Sequence, residues 1–477
     1  MQGTIASIGI NTLKRNVSAV DPQKWQGLIL TLSHLLFRRA PPTHQLPNIL
    51  QPLLSGLDFE QRSSTGSSVG TGVRDASCFG IWAMSRKYTT QELLALNPQE
   101  ITTPTAQNKT NVLQMLATEL VCSACVDPSG NIRRGASAAL QELIGRHPNT
   151  IAEGISLVQV VDYHAVARRS RAMCEVAKMT AGLSHIYWSP LVEALINWRG
   201  IGSPDAESRR HAARAVGALS TKGTYLTLSI VLNRLLHKFS NLPRNDVEAR
   251  HGCLLALAAS VDAYCHLLDQ STNKEAPEVD DVSRQITGLW EIFSSPSGPT
   301  QDDLTSQSLR PVLTAEASSK LVCSLSRAVD QTECLVSCPS NHLLEKALEV
   351  LLLCVSRGED IAIEASSEAL SQFFLLLPTS KQEEVIQNWF SHIQATWKLP
   401  TARGQISALG AVFQRIQSQN DLRSSIIRTL LHCTEKEELI EKRVSAVKCL
   451  ATGILPHIGM SQFPVGECEL TTCSCHR

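Results

Sequence analysis

Aromatic residues make up only 5% of this 477-residue chain, and neither sign of charge dominates: 44 Lys and Arg stand against 44 Asp and Glu. That balance removes any chain-wide pull toward nucleic acid or anionic lipid and leaves only local patches as electrostatic handles. Long apolar runs are missing as well. Runs such as LEVLLLCV at residues 348–355 are far too short for a bilayer, which needs about 20 residues. The opening MQGTIASIGINTLKRN lacks a cationic stretch followed by an apolar core, so no secretory leader is expected there. The chain is therefore expected to be soluble and intracellular. Strand signals are nearly absent, with no alternating run closed by an Asn-Gly or Asp-Gly turn. No H-E-x-x-H occurs, which removes a common zinc-hydrolase arrangement.

What is present is helical periodicity. In WQGLILTLSHLLF, Trp25, Leu28, Ile29, Leu32, Leu35 and Leu36 fall on one helical face. EKALEVLLLCV, EALSQFFLLL and GQISALGAVFQRI follow the same pattern. The hydrophobic fraction of 43% suffices for a large core, and the 15 cysteines read as reduced, buried thiols rather than a disulfide framework.

The helical segments also repeat. Arg74-Asp75-Ala76-Ser77 returns as Arg134-Gly135-Ala136-Ser137, Arg210-His211-Ala212-Ala213, Arg250-His251-Gly252-Cys253 and Arg443-Val444-Ser445-Ala446. Asp127, Asp205 and Asp246 stand just upstream of three of these. An aspartate entering a helix can cap its free amides, and an arginine at the helix start can pair with the aspartate of a neighbouring repeat. Paired helices recurring at roughly 40 residues define the HEAT and armadillo class, in which each pair buries its apolar face only by stacking on the next. The expected fold is all-α, a HEAT/armadillo-type helical-repeat solenoid. Its parts are incomplete N-terminal repeats at 1–60, a flexible loop at 61–72 and HEAT-like repeats at 73–270. A loop-rich insertion or hinge at 271–309 leads to a C-terminal helical domain at 310–455 and an irregular tail at 456–477.

The stretch SSVGTGVRDAS raises the question of a phosphate-binding loop around Gly66, Gly70 and Gly72. Such a loop needs a preceding strand and a following Gly-Lys-Ser/Thr, and both are missing. The glycines are read as leading into a structural helix that starts at Val73. Cys468, Cys473, Cys475 and His476 have zinc chemistry but not the two separated ligand pairs of a structural site, so no metal is assigned. Cys122 and Cys125 lie within a helical run and read as core residues. No catalytic residue and no cofactor is expected. The dense polar stretch VDYHAVARRSRAM is different. Asp162, Tyr163, His164, Arg168, Arg169 and Arg171 read either as a solvated helix face with one cap or as a partner-binding edge, where Tyr and Arg are common anchors.

VRDASCFGIWAMSRKY, NIRRGASAALQELIGRHPNTIAEGISLVQVVDYHAVARRSRAM and EARHGCLLALAASVDAY resemble, in order and spacing, signatures of the tubulin-folding cofactor D (tubulin-specific chaperone D) family. KWQGLILTLSHLL is similar to that family's preceding helix. The resemblance covers residues 20–270 clearly and 310–455 loosely, and places the chain as the middle and C-terminal part of the family's longer pattern. It implies a non-catalytic chaperone that binds β-tubulin and assists αβ-tubulin assembly after the chaperonin. It also implies work with cofactors C and E and an Arf-like small GTPase, stimulation of tubulin GTP hydrolysis within that complex, and a cytoplasmic location with microtubule association left open. No nucleic acid partner and no membrane span are expected. A generic HEAT scaffold of the transport-receptor or phosphatase-scaffold type remains the alternative.

Overall fold

The computed structural model describes residues 21–62, 68–103, 105, 110–270, 277–332, 335–395, 399–416, 420–436 and 438–457. The chain divides into two compact units, Met1–Lys274 and Glu275–Arg477.

The first unit is a double layer of helices. One layer holds α1 (Pro22–Phe37), α3 (Thr71–Lys87) and α5 (Gly130–Arg146), then α7 (residues 169–183), α9 (Ala206–Ser220) and α11 (Val247–Gln270). The other holds α2 (Leu46–Leu57), α4 (Val112–Val126), α8 (His185–Ile196) and α10 (Tyr225–Asn241), with the short α6 (Gly154–Val160) between α5 and α7. In the first layer α3 packs between α1 and α5, and α9 packs between α7 and α11. α2 lies on α3, α4 on α5, α8 on α9 and α10 on α11. α1 starts where Asp21 accepts from the amides of Gln23 and Lys24, with Pro22 at the first helical position. It buries Trp25, Ile29, Leu32 and Leu36 of the stripe its periodicity predicts, with Leu28 and Leu35 half-buried at its edge. α4 is buried on every side, because α2, α5, α7 and α8 all pack against it. α11 is long and apolar enough to cross a membrane, but 78% of its apolar window is buried inside the unit.

In the first unit the repeat arginines are interior stitches, whereas Arg443, the last of the repeated set, is only half-buried. Arg74, Arg133, Arg209 and Arg250 are each the fourth residue of their helix, counting from Thr71, Gly130, Ala206 and Val247, and all are buried. Arg74 pairs with Asp127 at 2.8 Å and donates to the Phe59 carbonyl, also at 2.8 Å. Arg133 donates to the carbonyls of Asp127, Val166 and Ala167, and so clasps the turn before α7. Arg209 donates to the carbonyls of Ser203 and Pro204 and to Nδ1 of His251 on α11. Arg199 pairs with Asp58 at 2.6 Å and donates to Ser123. The alignment of Arg134 and Arg210 with Arg74 is thereby corrected to Arg133 and Arg209. Spacings of three and four residues share one helical face, so the Ala-Ser anchor alone could not fix the register. Asp205 and Asp246 cap α9 and α11 as expected, accepting from the amides of Ser208 and Ala249.

Two further expectations change. α3 begins at Thr71 rather than Val73, and Gln61–Arg62 pairs antiparallel with Ser68–Val69. The backbone turns into α3 at Gly70, where φ is 133° and a Cβ would strike the Phe59 ring. Gly66 lies outside the described residues. The segment assigned to a loop-rich insertion is helical from Pro277. α12 (Pro277–Gly288) buries Val279, Val282 and Ile286, and a 3-10 turn over Leu289–Phe293 buries Trp290 against Phe373. Apolar residues at helical spacing outweigh the segment's polar composition there.

The second unit repeats the double-layer plan. α13 (Pro311–Gln331), α15 (Asp360–Phe373), α17 (Leu399–Phe413) and α19 (Ile440–Cys449) stack side by side. Their starts at 360, 399 and 440 keep the expected spacing of about 40 residues. α14 (Asn341–Val355) covers α13 and α15, α16 (Thr379–Ala395) lies on α17, and α18 (Asn420–His432) lies on α17 and α19. The described cysteines are free thiols, mostly buried, and Cys122 and Cys125 lie side by side in α4 with burial pushing Cys125 up to about 12.

Candidate partner-binding surface

The polar stretch after α6 is divided by the fold. Asp162 turns the chain, accepting from the amides of His164 and Ala165 at 3.0 and 3.2 Å. Tyr163 and His164 then project outward, Tyr163 at 44% exposure, with their rings edge to face at 5.5 Å. The Arg134 guanidinium lies 5.2 Å from the centre of the Tyr163 ring. A cation held over an aromatic face and left accessible is a common protein-recognition element. Arg168 is exposed at the cap of α7. Arg171 is exposed too, but lies 3.2 Å from Glu175 one turn on, which offsets its charge.

Arg169 points the other way. Its guanidinium donates to the Arg199 carbonyl at 2.8 Å and to the Ser208 hydroxyl at the start of α9. Burial, with Arg133 nearby, lowers it to about 10. It is another interior stitch, joining α7 to the next repeat. The outward group is thus Tyr163, His164 and Arg168, with the half-buried Arg134 against the Tyr163 ring and Asp162 shaping the turn beneath.

Two outward features escaped the sequence reading. Arg134 was assigned to the interior pattern and instead joins this edge. On α1 and α3, His34, Phe37, Phe79 and Trp82 form a connected aromatic cluster whose members come from helices about 40 residues apart. The i, i+3 pairs His34/Phe37 and Phe79/Trp82 were visible, but not that α1 and α3 are neighbours. Among the described residues no group of His, Cys, Asp and Glu side chains could hold a metal ion. Cys468, Cys473, Cys475 and His476 lie outside them.

Paired helices in two layers, stitched by buried arginines and carrying aromatic-cationic patches, define a helical-repeat scaffold. Residues 9–155 match the family model described as Tubulin-specific chaperone D-like, ARM repeats. Tubulin-specific chaperone D of Dictyostelium discoideum is 26% identical over 238 residues, 50% of this chain and 15% of that protein. Tubulin-folding cofactor D of Schizosaccharomyces pombe is 32% identical over 152 residues, 32% of this chain and 12% of that protein. The matched stretch therefore spans a small part of the length of these relatives. Over that stretch the chain is similar to proteins of the tubulin-specific chaperone D family. Solved helical-repeat structures are far more distant. Kap121p has 14% identity and a TM-score of 0.28, covering 94% of this chain and 45% of that one. The SYS-1/POP-1 complex has 13% identity and a TM-score of 0.29, covering 97% and 100%. Likeness at that level carries no functional argument.

Proposed function

We propose that this chain is a tubulin-folding scaffold, a non-catalytic chaperone that binds β-tubulin and assists assembly of the αβ heterodimer. The observation that carries this reading is the match of residues 9–155 to the repeats of chaperone D-like proteins, together with two relatives named for tubulin folding. In this reading the chain works in the cytoplasm and at microtubules, alongside cofactors C and E and an Arf-like small GTPase. Its contribution to tubulin GTP hydrolysis is to position tubulin within that complex. The edge formed by Arg134, Tyr163, His164 and Arg168 is the proposed contact, because it offers cations beside an accessible ring to an acidic partner.

The test is a titration of purified tubulin against the parent and an Arg134→Glu/Arg168→Glu variant at low and high salt. Exposed charges mainly steer encounter, so the variant should bind more weakly at low salt, chiefly through a slower association rate. Its helical content should be unchanged. Arg169→Ala should behave in the opposite way, lowering the melting temperature because it leaves buried carbonyl and hydroxyl partners unmet. Equal affinity of the double variant removes this edge from the interface. Failure of the folded parent to bind tubulin overturns the tubulin reading for this chain.

A further inference from the structure

The cluster on α1 and α3 is a second surface, separate from the Arg134 edge. Phe37 is 39% exposed and Leu30, two turns earlier on α1, is 38% exposed. Phe37 and Trp82 stack with ring centres 6.1 Å apart and planes 10° apart, and Phe79 and Trp82 stack at 5.9 Å. His34 meets Phe79 edge-on at 5.3 Å. In a chain with so few aromatic residues, this concentration at the surface stands out. Isolated exposed apolar residues are ordinary, but a contiguous patch rimmed by polar groups marks an interaction site.

The rim is cationic. Arg86 lies 4.8 Å from the centre of the Trp82 ring, and Lys87 lies 4.7 Å from that of Phe37. Arg38 is exposed at the end of α1. Arg39 and Arg146 are exposed nearby in the fold, against carboxylates at Glu92 and Glu142. Glu142 is shared by Arg86 at 3.4 Å and Arg146 at 2.8 Å, so one carboxylate faces two cations and the rim keeps an excess of positive charge. We propose that this patch docks an acidic protein segment that carries an aromatic or large aliphatic anchor. The anchor would lie against Phe37 and Leu30, and its flanking carboxylates would meet Arg38, Arg86 and Lys87. A single-stranded nucleic acid fits less well. Bases stack on open ring faces, whereas here Trp82 and Phe37 are stacked on each other and carry Arg86 and Lys87 beside their rings. The proposal is independent of the tubulin reading, since it defines its partner by chemistry alone.

Fluorescence anisotropy with labelled synthetic peptides of equal length tests it on the full chain. One peptide is glutamate-rich with a central Phe-Leu pair, one replaces that pair with serines, and one replaces the glutamates with lysines. The first should bind, and each of the others should bind about tenfold more weakly or worse. Phe37→Ala and, separately, Arg86→Glu should each weaken the first peptide by a similar factor while the circular dichroism melt is unchanged. Should either variant unfold, Lys87→Glu supplies the same readout. Equal binding of the first two peptides, or no effect of the variants, overturns the proposal. Tighter binding of a labelled oligonucleotide that depends on the same residues overturns it too. So does a dimer in sedimentation that Phe37→Ala dissolves, since a second copy would then be the occupant.

Discussion

The two units share one plan and hold it together with different chemistry. In the first, neighbouring repeats are joined by long cations buried between them. Arg74, Arg133, Arg169 and Arg199 reach carbonyls or carboxylates in the turns between other helices, and Arg209 reaches His251 on α11. In the second, the buried seams between stacked helices are made by small side chains, and the cross-helix ion pairs Lys320–Glu368 and Arg403–Asp360 lie part-exposed. Ser367 donates to Ser407 at 3.0 Å, the Cys449 thiol donates to the Ile406 carbonyl at 3.1 Å, and Gly410 lets α19 approach α17. An arginine stitch fixes both the position and the angle of the turn it clasps, because its donors form a planar fork. A small-residue seam fixes only the distance between helices. The first kind breaks when a partner is removed, the second when volume is added.

The largest effect should come from the Arg74–Asp127 pair. Its side chains are 1% and 0% exposed. Burial pushes the Asp127 carboxyl above its ordinary range, while Arg74 and Arg199 act against that shift. Asp127→Ala would leave Arg74 buried without its carboxylate, and breaking such a pair costs about 3–5 kcal/mol. Urea unfolding of the variant measures the loss. Arg74→Met combined with Asp127→Leu should recover most of it, because replacing both ions with apolar groups removes the desolvation cost as well as the attraction. If the double variant is no more stable than Asp127→Ala, the loss lies in the hydrogen bonds to the Phe59 carbonyl and from the Ser129 amide rather than in the ion pair.

The second unit should answer to added volume instead. A Cβ at Gly410 would stand 2.5 Å from the Cys449 sulfur, which its own hydrogen bond to Ile406 holds in place. Gly410→Val should destabilise by about 1–3 kcal/mol, the usual penalty for overpacking. Cys449→Ala in the same chain should relieve part of it. Hydrogen exchange resolved by peptide locates the loss: it belongs at α17 and α19, with the first unit's protection unchanged.

Much of the fold was legible because helix period, cap and repeat agree. Asp205 and Asp246 stood where caps belong, and an arginine pairing with the aspartate of an adjacent repeat was expected, as Arg74 and Asp127 do. What stayed hidden has physical causes. Arg169 looks in sequence like one more surface cation, because its partners are a backbone carbonyl and two hydroxyls contributed by a later turn. Residues 277–285 look like a loop by composition, although Val279 and Val282 keep helical spacing with Ile286. The aromatic patch needs α1 and α3 side by side, which no local pattern states. Of the six residues chosen as a docking edge, Tyr163, His164, Arg168 and Arg171 face outward. Asp162 is half-buried beneath them and Arg169 faces inward.

The smallest effect should appear with pH, again in the first unit. His147 ends α5 and is 2% exposed, with Nδ1 3.0 Å from the Thr90 hydroxyl. Burial lowers its affinity for a proton below the ordinary value of 6.5, a backbone hydrogen bond at Ser85 opposes this, and Arg146 adds to it. The folded state therefore favours the neutral ring, and between the folded and unfolded values the unfolded chain binds more protons. Stability from this group is fully present above about 6.5 and falls as pH drops through the lowered folded value. Hydrogen exchange at pH 7.5 and pH 5.5 should show α5 and its contacts with α3 losing protection at the lower pH. His147→Gln removes the titrating group and should flatten that dependence. An unchanged pH response in the variant would assign the acid sensitivity to the carboxylates of the stitches instead, and would tie it to the same chemistry that separates the two units.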